Sequence, residues 1–238
     1  MDIHNNFIYT GNILFKYRSY IPLMLLPLMI YSIKNIDNVY IDYNIAILTG
    51  CFLISIIGFI LRISVVGTTP NKTSGRNTKK QVASVLNKTG IYSILRHPLY
   101  LANYFILSGL VLYSCQIIYF IIFTLLFILY YERIIFVEEN YLSNKFNSEF
   151  FEWSKATSTI IPKLNNYKAN IHKISLKKIL FREYTGFCAL IAIYCILVET
   201  YSYFHYLAFS SNFMIKLIFI SNGIIYLVLR SIKKNIYG

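Results

Sequence analysis

The chain has 238 residues, of which 56% are hydrophobic, 17% aromatic and only 14% charged. A soluble domain carries about 25% charged residues, so this composition excludes an ordinary water-soluble globule. A formal charge of +13 would point to nucleic acid in a soluble chain, but here the basic residues sit between apolar runs, where membrane topology explains them and no nucleic-acid partner is expected.

Residues 1–18 offer Phe7, Ile8, Ile13, Leu14 and Phe15 to a lipid surface and are expected to lie in the interface. Met1–Tyr20 is too polar, with Asn5, Asn6 and Asn12, to read as a cleavable signal peptide. Runs without Asp, Glu, Lys or Arg then follow at 19–33, 43–61, 97–131, 184–198 and 200–215. A spanning helix needs about 17–25 mostly apolar residues. The first run, Ser19–Ile33, is short, and its Pro27 is expected to kink it. Tyr43–Leu61 spans alone. The run His97–Tyr131 would be about 52 Å long as one helix, so it is expected to turn near Ser114–Gln116 into Pro98–Tyr113 and Ile117–Val137. Tyr184–Tyr203 and Ala208–Leu229 complete an all-α bundle of about six transmembrane helices.

Charge alternates along these spans. Lys16 and Arg18 precede the first, while the next connection has only Lys34 beside Asp37 and Asp42. The loop after it carries Arg62, Lys72, Arg76, Lys79, Lys80, Lys88 and Arg96 with no acid. The 114–116 turn has no base, residues 131–183 are basic again, and Glu199 stands alone before Arg230, Lys233 and Lys234. The positive-inside rule then puts both termini and both large polar loops in the cytoplasm. Within the first of these loops a short helix is expected over Lys79–Leu86, and the loop reads either as a solvated segment touching anionic lipid or as an anion-binding lid. Beyond the hairpin, Glu139, Leu142, Phe146, Phe150 and Trp153 recur at helical spacing, an amphipathic helix at the membrane surface. Cys51, Cys115, Cys188 and Cys195 fall in or beside apolar segments and read as small buried residues, with no metal set.

Two polar clusters flank the hairpin. Arg96-His97-Pro98 enters it, with proline at a first helical position and free backbone N–H groups that form an anion site. Taken alone, the tripeptide reads equally as a helix anchor with a snorkelling arginine. Glu132, Arg133, Glu138 and Glu139 leave the hairpin at its other end. Carboxylates are costly near hydrocarbon, and two adjacent ones facing an arginine–histidine pair suggest a zwitterionic ligand held between them.

These residues resemble the isoprenylcysteine carboxyl methyltransferase and phospholipid methyltransferase group of integral membrane enzymes. The resemblance is carried by Gly90-x-Tyr92-Ser93 before RHPLY (96–100), then Glu132-Arg133-Ile134, Glu138-Glu139 and Leu142, then Phe146, Phe151, Trp153 and Ile161-Pro162. It covers about residues 60–165 and divides the chain into 1–62, a methyltransferase core at 63–165, and 166–238. Two positions depart from the pattern: Asn147 stands where the family has the glycine of an FG pair, and Trp153 where tyrosine is commoner.

The resemblance implies S-adenosylmethionine as cofactor, held without a Rossmann domain. Carried over by matched position, Tyr92, His97, Tyr100, Asn103, Glu138 and Glu139 bind the cofactor. Arg96, Arg133 and Glu138 make up the catalytic set, in which the arginines orient acceptor or cofactor carboxylate. Flanks 12–23 and 176–186, with the loop around Arg76, Lys79 and Lys80, are similar to a bacterial branch that methylates the 1-phosphate of lipid A. That implies a membrane-lipid substrate, an inner-membrane location, and those three bases as substrate-binding residues. Open alternatives are a prenylcysteine carboxyl methyltransferase, a phosphatidylethanolamine N-methyltransferase, an NADPH-dependent sterol reductase, and a non-enzymatic transporter or scaffold.

Overall fold

A computed structural model of the protein describes residues 2–35, 45–70, 81–207 and 213–237. The described residues form eight α-helices: α1 (Ile3–Tyr17), α2 (Leu25–Lys34), α3 (Ile45–Thr68), α4 (Pro98–Leu112), α5 (Ile117–Phe146), α6 (Ser148–Ala156), α7 (Leu176–Tyr206) and α8 (Phe213–Tyr237). Among them there is no strand beyond two isolated bridges, Gly90 with Lys168 and Leu95 with Ser158. Four helices, α3, α5, α7 and α8, are long and apolar enough to cross a membrane, and a fifth span results if the bent α1–α2 pair is counted as one. The fold is thus an all-α membrane bundle.

Several boundaries differ from the sequence-based expectation, each for a local reason. Ser19–Ile33 is not one helix: Ile21–Met24 forms a 3-10 turn and α2 begins only at Leu25. Pro27 therefore sits in a first helical turn, where its missing N–H breaks no bond, and the bend of 74° falls upstream of it. Of the segment 1–18, Ile3–Tyr17 is helical and packs on α5, with Phe15 buried against Tyr131, Ile134 and Ile135. Tyr130 Oη donates to the Leu14 carbonyl at 3.2 Å. The helix expected over 79–86 is absent from its described part, 81–86, which is irregular with Ala83 and Leu86 buried. Burial of two side chains by tertiary packing there outweighs local helix propensity. Of the cysteines, Cys51, Cys188 and Cys195 are buried, whereas Cys115 is exposed in the α4–α5 turn.

The largest difference decides where the site lies. The expected fourth span and the start of the amphipathic helix are one helix, because residues 117–146 contain neither glycine nor proline to stop it. α5 has 30 residues against 15 in α4, about 45 Å against about 22 Å. One arm of the hairpin therefore overhangs the other, and the overhang carries Glu138 and Glu139. The chain breaks at Asn147, at φ 46° and ψ −122°, a conformation that suits glycine far better than other residues. α7 likewise begins two turns before its uncharged stretch, capped by the Ser175 hydroxyl accepting from the Lys178 N–H. That brings Arg182 and Glu183 onto a helix.

Small residues let α3 and α4 approach closely. A side chain at Gly109 would collide with Ser55 and the Cys51 carbonyl, and one at Gly58 with the Ala102 carbonyl, as expected where helices pack inside a membrane. Ser55 donates to the Ile106 carbonyl at 2.8 Å and also meets Tyr194 Oη of α7 at 2.9 Å. Ile33, Phe59, Leu110, Leu190 and Leu197 fill the space between these helices. α8 is the outermost helix, tied in by Asn222 Nδ2 donating to the Cys188 carbonyl at 2.9 Å.

Candidate active site

The loop that leads into α4 is fixed before it reaches the reactive residues. Gly90 has φ 61°, and a side chain there would meet Asn170 Nδ2 at 2.5 Å. Its N–H donates to the Lys168 carbonyl, and the Ser93 hydroxyl donates back to the Gly90 carbonyl while accepting from the Lys168 N–H. Further on, the Arg96 N–H donates to Ser158 and the Lys163 N–H to Ile94. Residues 157–168 thus form a strap over 90–96. His97 is held with φ −121° and ψ 60°, outside the helical region as a residue before proline should be, and Pro98 opens α4.

On this base the two polar clusters meet. His97 Nε2 lies 2.9 Å from Glu139 Oε1, and Nδ1 lies 3.5 Å from Glu138 Oε2. Arg96 Nε lies 2.9 Å from the same Glu139 oxygen. Its Nη1 donates to the Ser154 carbonyl at 3.0 Å, and Nη2 to the Thr159 hydroxyl. Burial alone would push His97 below its ordinary value. The hydrogen bonds and charges of Glu138 and Glu139 together outweigh it, and the imidazole titrates above 6.5. Tyr92 is held firmly protonated, first by burial and then by the charge of Glu138. Trp153 Nε1 donates to the Tyr92 carbonyl at 3.0 Å, so α6 clamps the loop from the other side.

These groups border a cavity of about 910 Å³, near the upper end of the range of small-molecule sites, about 300–1,000 Å³. Tyr92, Arg96, His97, Tyr100, Asn103 and Glu138 all line it, with Trp153 of α6 and residues 81–83 and 85–87 beside them. The His97 and Tyr100 rings stack at 5.6 Å, and Tyr100 meets Tyr131 at 4.5 Å. An anionic carboxylate, aromatic faces and the positive end of α4 therefore share one partly open space. That set can hold a ligand bearing both an ammonium and a carboxylate, and aromatic rings attract a sulfonium.

Not every expected residue reaches the cavity. Glu139 sits behind it, bonded to Arg96 and His97. Arg133 does not line it: its guanidinium lies 3.4 Å over the Phe7 ring, in the α1–α5 packing. The structure thus places Arg133, expected to orient a ligand, on the face of α5 that α1 occupies. Arg76, Lys79 and Lys80 fall outside the described residues.

Four charged lining residues were not anticipated. Arg18 reaches Glu138 Oε1 at 3.6 Å. Elsewhere in the lining Arg62 Nε donates to Glu183 and its Nη1 donates to Asn103 Oδ1 at 2.8 Å, and Arg182 also borders the cavity. Their sequence signal was a single charge at the edge of an apolar run, which topology alone had seemed to explain.

Residues 45–149 match the phospholipid methyltransferase family model. Over 114 residues the chain is 33% identical to the Saccharomyces cerevisiae protein-S-isoprenylcysteine O-methyltransferase, a match covering 48% of this chain and 47% of the relative. The chain thus spans about half the length of the curated relative it matches, and no solved structure matches it. The family match takes in α3, α4, α5 and both halves of the His97–Glu139 cluster, whereas Arg18 on one side and Arg182 and Glu183 on the other lie outside it. Through the helices that build its candidate site, this chain is similar to methyltransferases of phospholipids and of isoprenylcysteine.

Proposed function

We propose that this membrane protein transfers a methyl group from S-adenosylmethionine to an anionic oxygen on a lipid-linked acceptor. The observation that carries the reading is the convergence of Arg96 and His97 with Glu138 and Glu139 beside a 910 Å³ cavity, inside the stretch that matches methyltransferases. The residues fit the cofactor's amino-acid end. Glu138 suits the ammonium, the positive end of the α4 dipole suits the carboxylate, and Tyr92 and Tyr100 offer ring faces to the sulfonium. When bound, the cofactor supplies a methyl group whose bond electrons leave with sulfur, while an acceptor oxygen lone pair forms the new bond to carbon.

The chain's own contribution is positioning, which can lower the barrier by roughly 7–11 kcal/mol. An ionised phosphate or carboxylate brings no proton to remove. An ammonium acceptor would first have to lose one, and His97, with both ring nitrogens turned to Glu138 and Glu139, is poorly placed as the base for that step. This observation favours O-methylation over N-methylation. The finer choice of acceptor, the 1-phosphate of lipid A on the cytoplasmic side of a bacterial inner membrane, is supported by the flanks at 12–23 and 176–186. The named yeast relative makes an isoprenylcysteine carboxylate the alternative.

Mass spectrometry of lipid and prenylated-peptide extracts from cells with and without the gene tests the reading. A gene-dependent gain of about 14 daltons, one methylene's worth in the sense of, is expected on a phosphate or carboxylate. A gain on amines only, or none, contradicts it.

A further inference from the structure

The cavity has a second charged end, distant in chain order from the His97 cluster and built from helices α3, α4 and α7. We infer that Arg62, pinned by Glu183 and Asn103, binds the phosphate or carboxylate of an acceptor carried on a lipid chain, and that α7 is therefore part of what selects the acceptor. The inference rests on the methyl-transfer reading for the role of this end, but not for its binding chemistry.

Arg62 lies within an apolar helix, where an ionisable side chain is costly and characteristically faces a cavity or a partner. It does both. Its Nε donates to Glu183 and its Nη1 to Asn103 Oδ1, while the Arg62 side chain is 24% exposed and lines the cavity. Asn103 is itself fixed, donating to Tyr131 Oη at 3.1 Å. A guanidinium held in one orientation by two partners keeps a planar fork available without paying further entropy, the arrangement that suits phosphate or carboxylate. Glu183, only 5% exposed in its side chain, neutralises one charge, and Arg182 on the same rim restores a net positive end.

The walls argue for a lipid-borne anion. Phe59, Ile106 and Leu107 line this end of the cavity, so an anion at Arg62 lies against an apolar surface that an alkyl chain can follow. A freely diffusing anion gains nothing from that surface.

The test uses the full-length protein in nanodiscs and measures binding of dodecyl phosphate, dodecanoate, inorganic phosphate and S-adenosylmethionine separately. Arg62→Gln removes the fork. The double variant Arg62→Met with Glu183→Leu removes both charges and keeps the volume, so it stays folded where a lone buried carboxylate would not. The expected result is that wild type binds at least one of the two alkyl anions more tightly than inorganic phosphate. The variants should weaken that binding at least tenfold and leave S-adenosylmethionine affinity within twofold. Alkyl-anion binding that survives in the folded double variant overturns the inference, as does equal loss of S-adenosylmethionine. Inorganic phosphate bound as tightly as dodecyl phosphate overturns the lipid-borne occupant. Wild type that binds an alkyl anion but no S-adenosylmethionine overturns the methyl-transfer reading and leaves the anion site standing.

Discussion

His97 Nε2 and Glu139 Oε1 stand 2.9 Å apart across 42 positions of sequence, and they join the two arms of one membrane hairpin at its polar end. The same carboxylate oxygen lies 2.9 Å from Arg96 Nε. Glu139 thus locks two consecutive residues of the RHP element, and this leaves neighbouring Glu138 to border the cavity. The two adjacent carboxylates therefore differ in surroundings, since only Glu138 lines the cavity.

This relationship gives a pH dependence of definite sign. The His97 pKa is raised in the folded protein above 6.5. Its stabilisation is therefore complete below about pH 6.5, the unfolded value, and is lost as pH rises through the higher folded value. Thermal unfolding of wild type from pH 5.5 to 8.5 should show that decline. His97→Gln should remove roughly 1.5–3 kcal/mol at the acid end and flatten the curve. A variant curve parallel to wild type would refute the pairing.

Arg96 acts as a buckle between α5, α6 and the strap. It binds Glu139, the Ser154 carbonyl and the Thr159 hydroxyl, three partners that a lysine ammonium cannot reach in the same plane. Arg96→Lys should accelerate amide hydrogen exchange over residues 157–168 and lower activity at least tenfold. Unchanged exchange there with lost activity would mean that Arg96 acts on the ligand instead.

Arg133 provides a contrast. Its guanidinium stacks on Phe7, so Arg133→Gln should cost about 0.5–1 kcal/mol of stability and leave S-adenosylmethionine affinity within twofold. A larger loss of affinity would return it to the binding set.

Asn147 carries a positive φ of 46° at the α5–α6 break, a backbone conformation that favours glycine. Strain of this kind costs on the order of 1–3 kcal/mol, partly offset by the greater chain entropy that glycine loses on folding. Asn147→Gly should raise the melting temperature by a few degrees without altering donor binding. A fall would show that the asparagine side chain is itself holding the turn.

Much of this was legible in the chain. Uncharged runs gave the bundle, and the order RHPLY then Glu138-Glu139 gave the convergence, because a hairpin brings its own two ends together. What local pattern could not give was overhang. Nothing in 117–146 marks where a span ends and a surface helix begins, and the absence of a breaker was the actual signal for a continuous α5. Partners distant in sequence were equally hidden. Arg18 reaches Glu138, and Glu183 reaches Arg62, through tertiary packing that periodicity does not encode. Arg133 lies away from the cavity for the same reason, since its side of α5 is taken by a helix that reads only as an interfacial segment.

The most direct measurement is isothermal titration of S-adenosylmethionine into the purified full-length protein, beside Glu138→Gln. Loss of one charge-assisted contact is worth about 1.5–3 kcal/mol, so saturable binding by wild type should weaken roughly 10- to 150-fold in the variant. No binding by wild type, or equal binding by both proteins, would contradict a donor held between the ends of the hairpin.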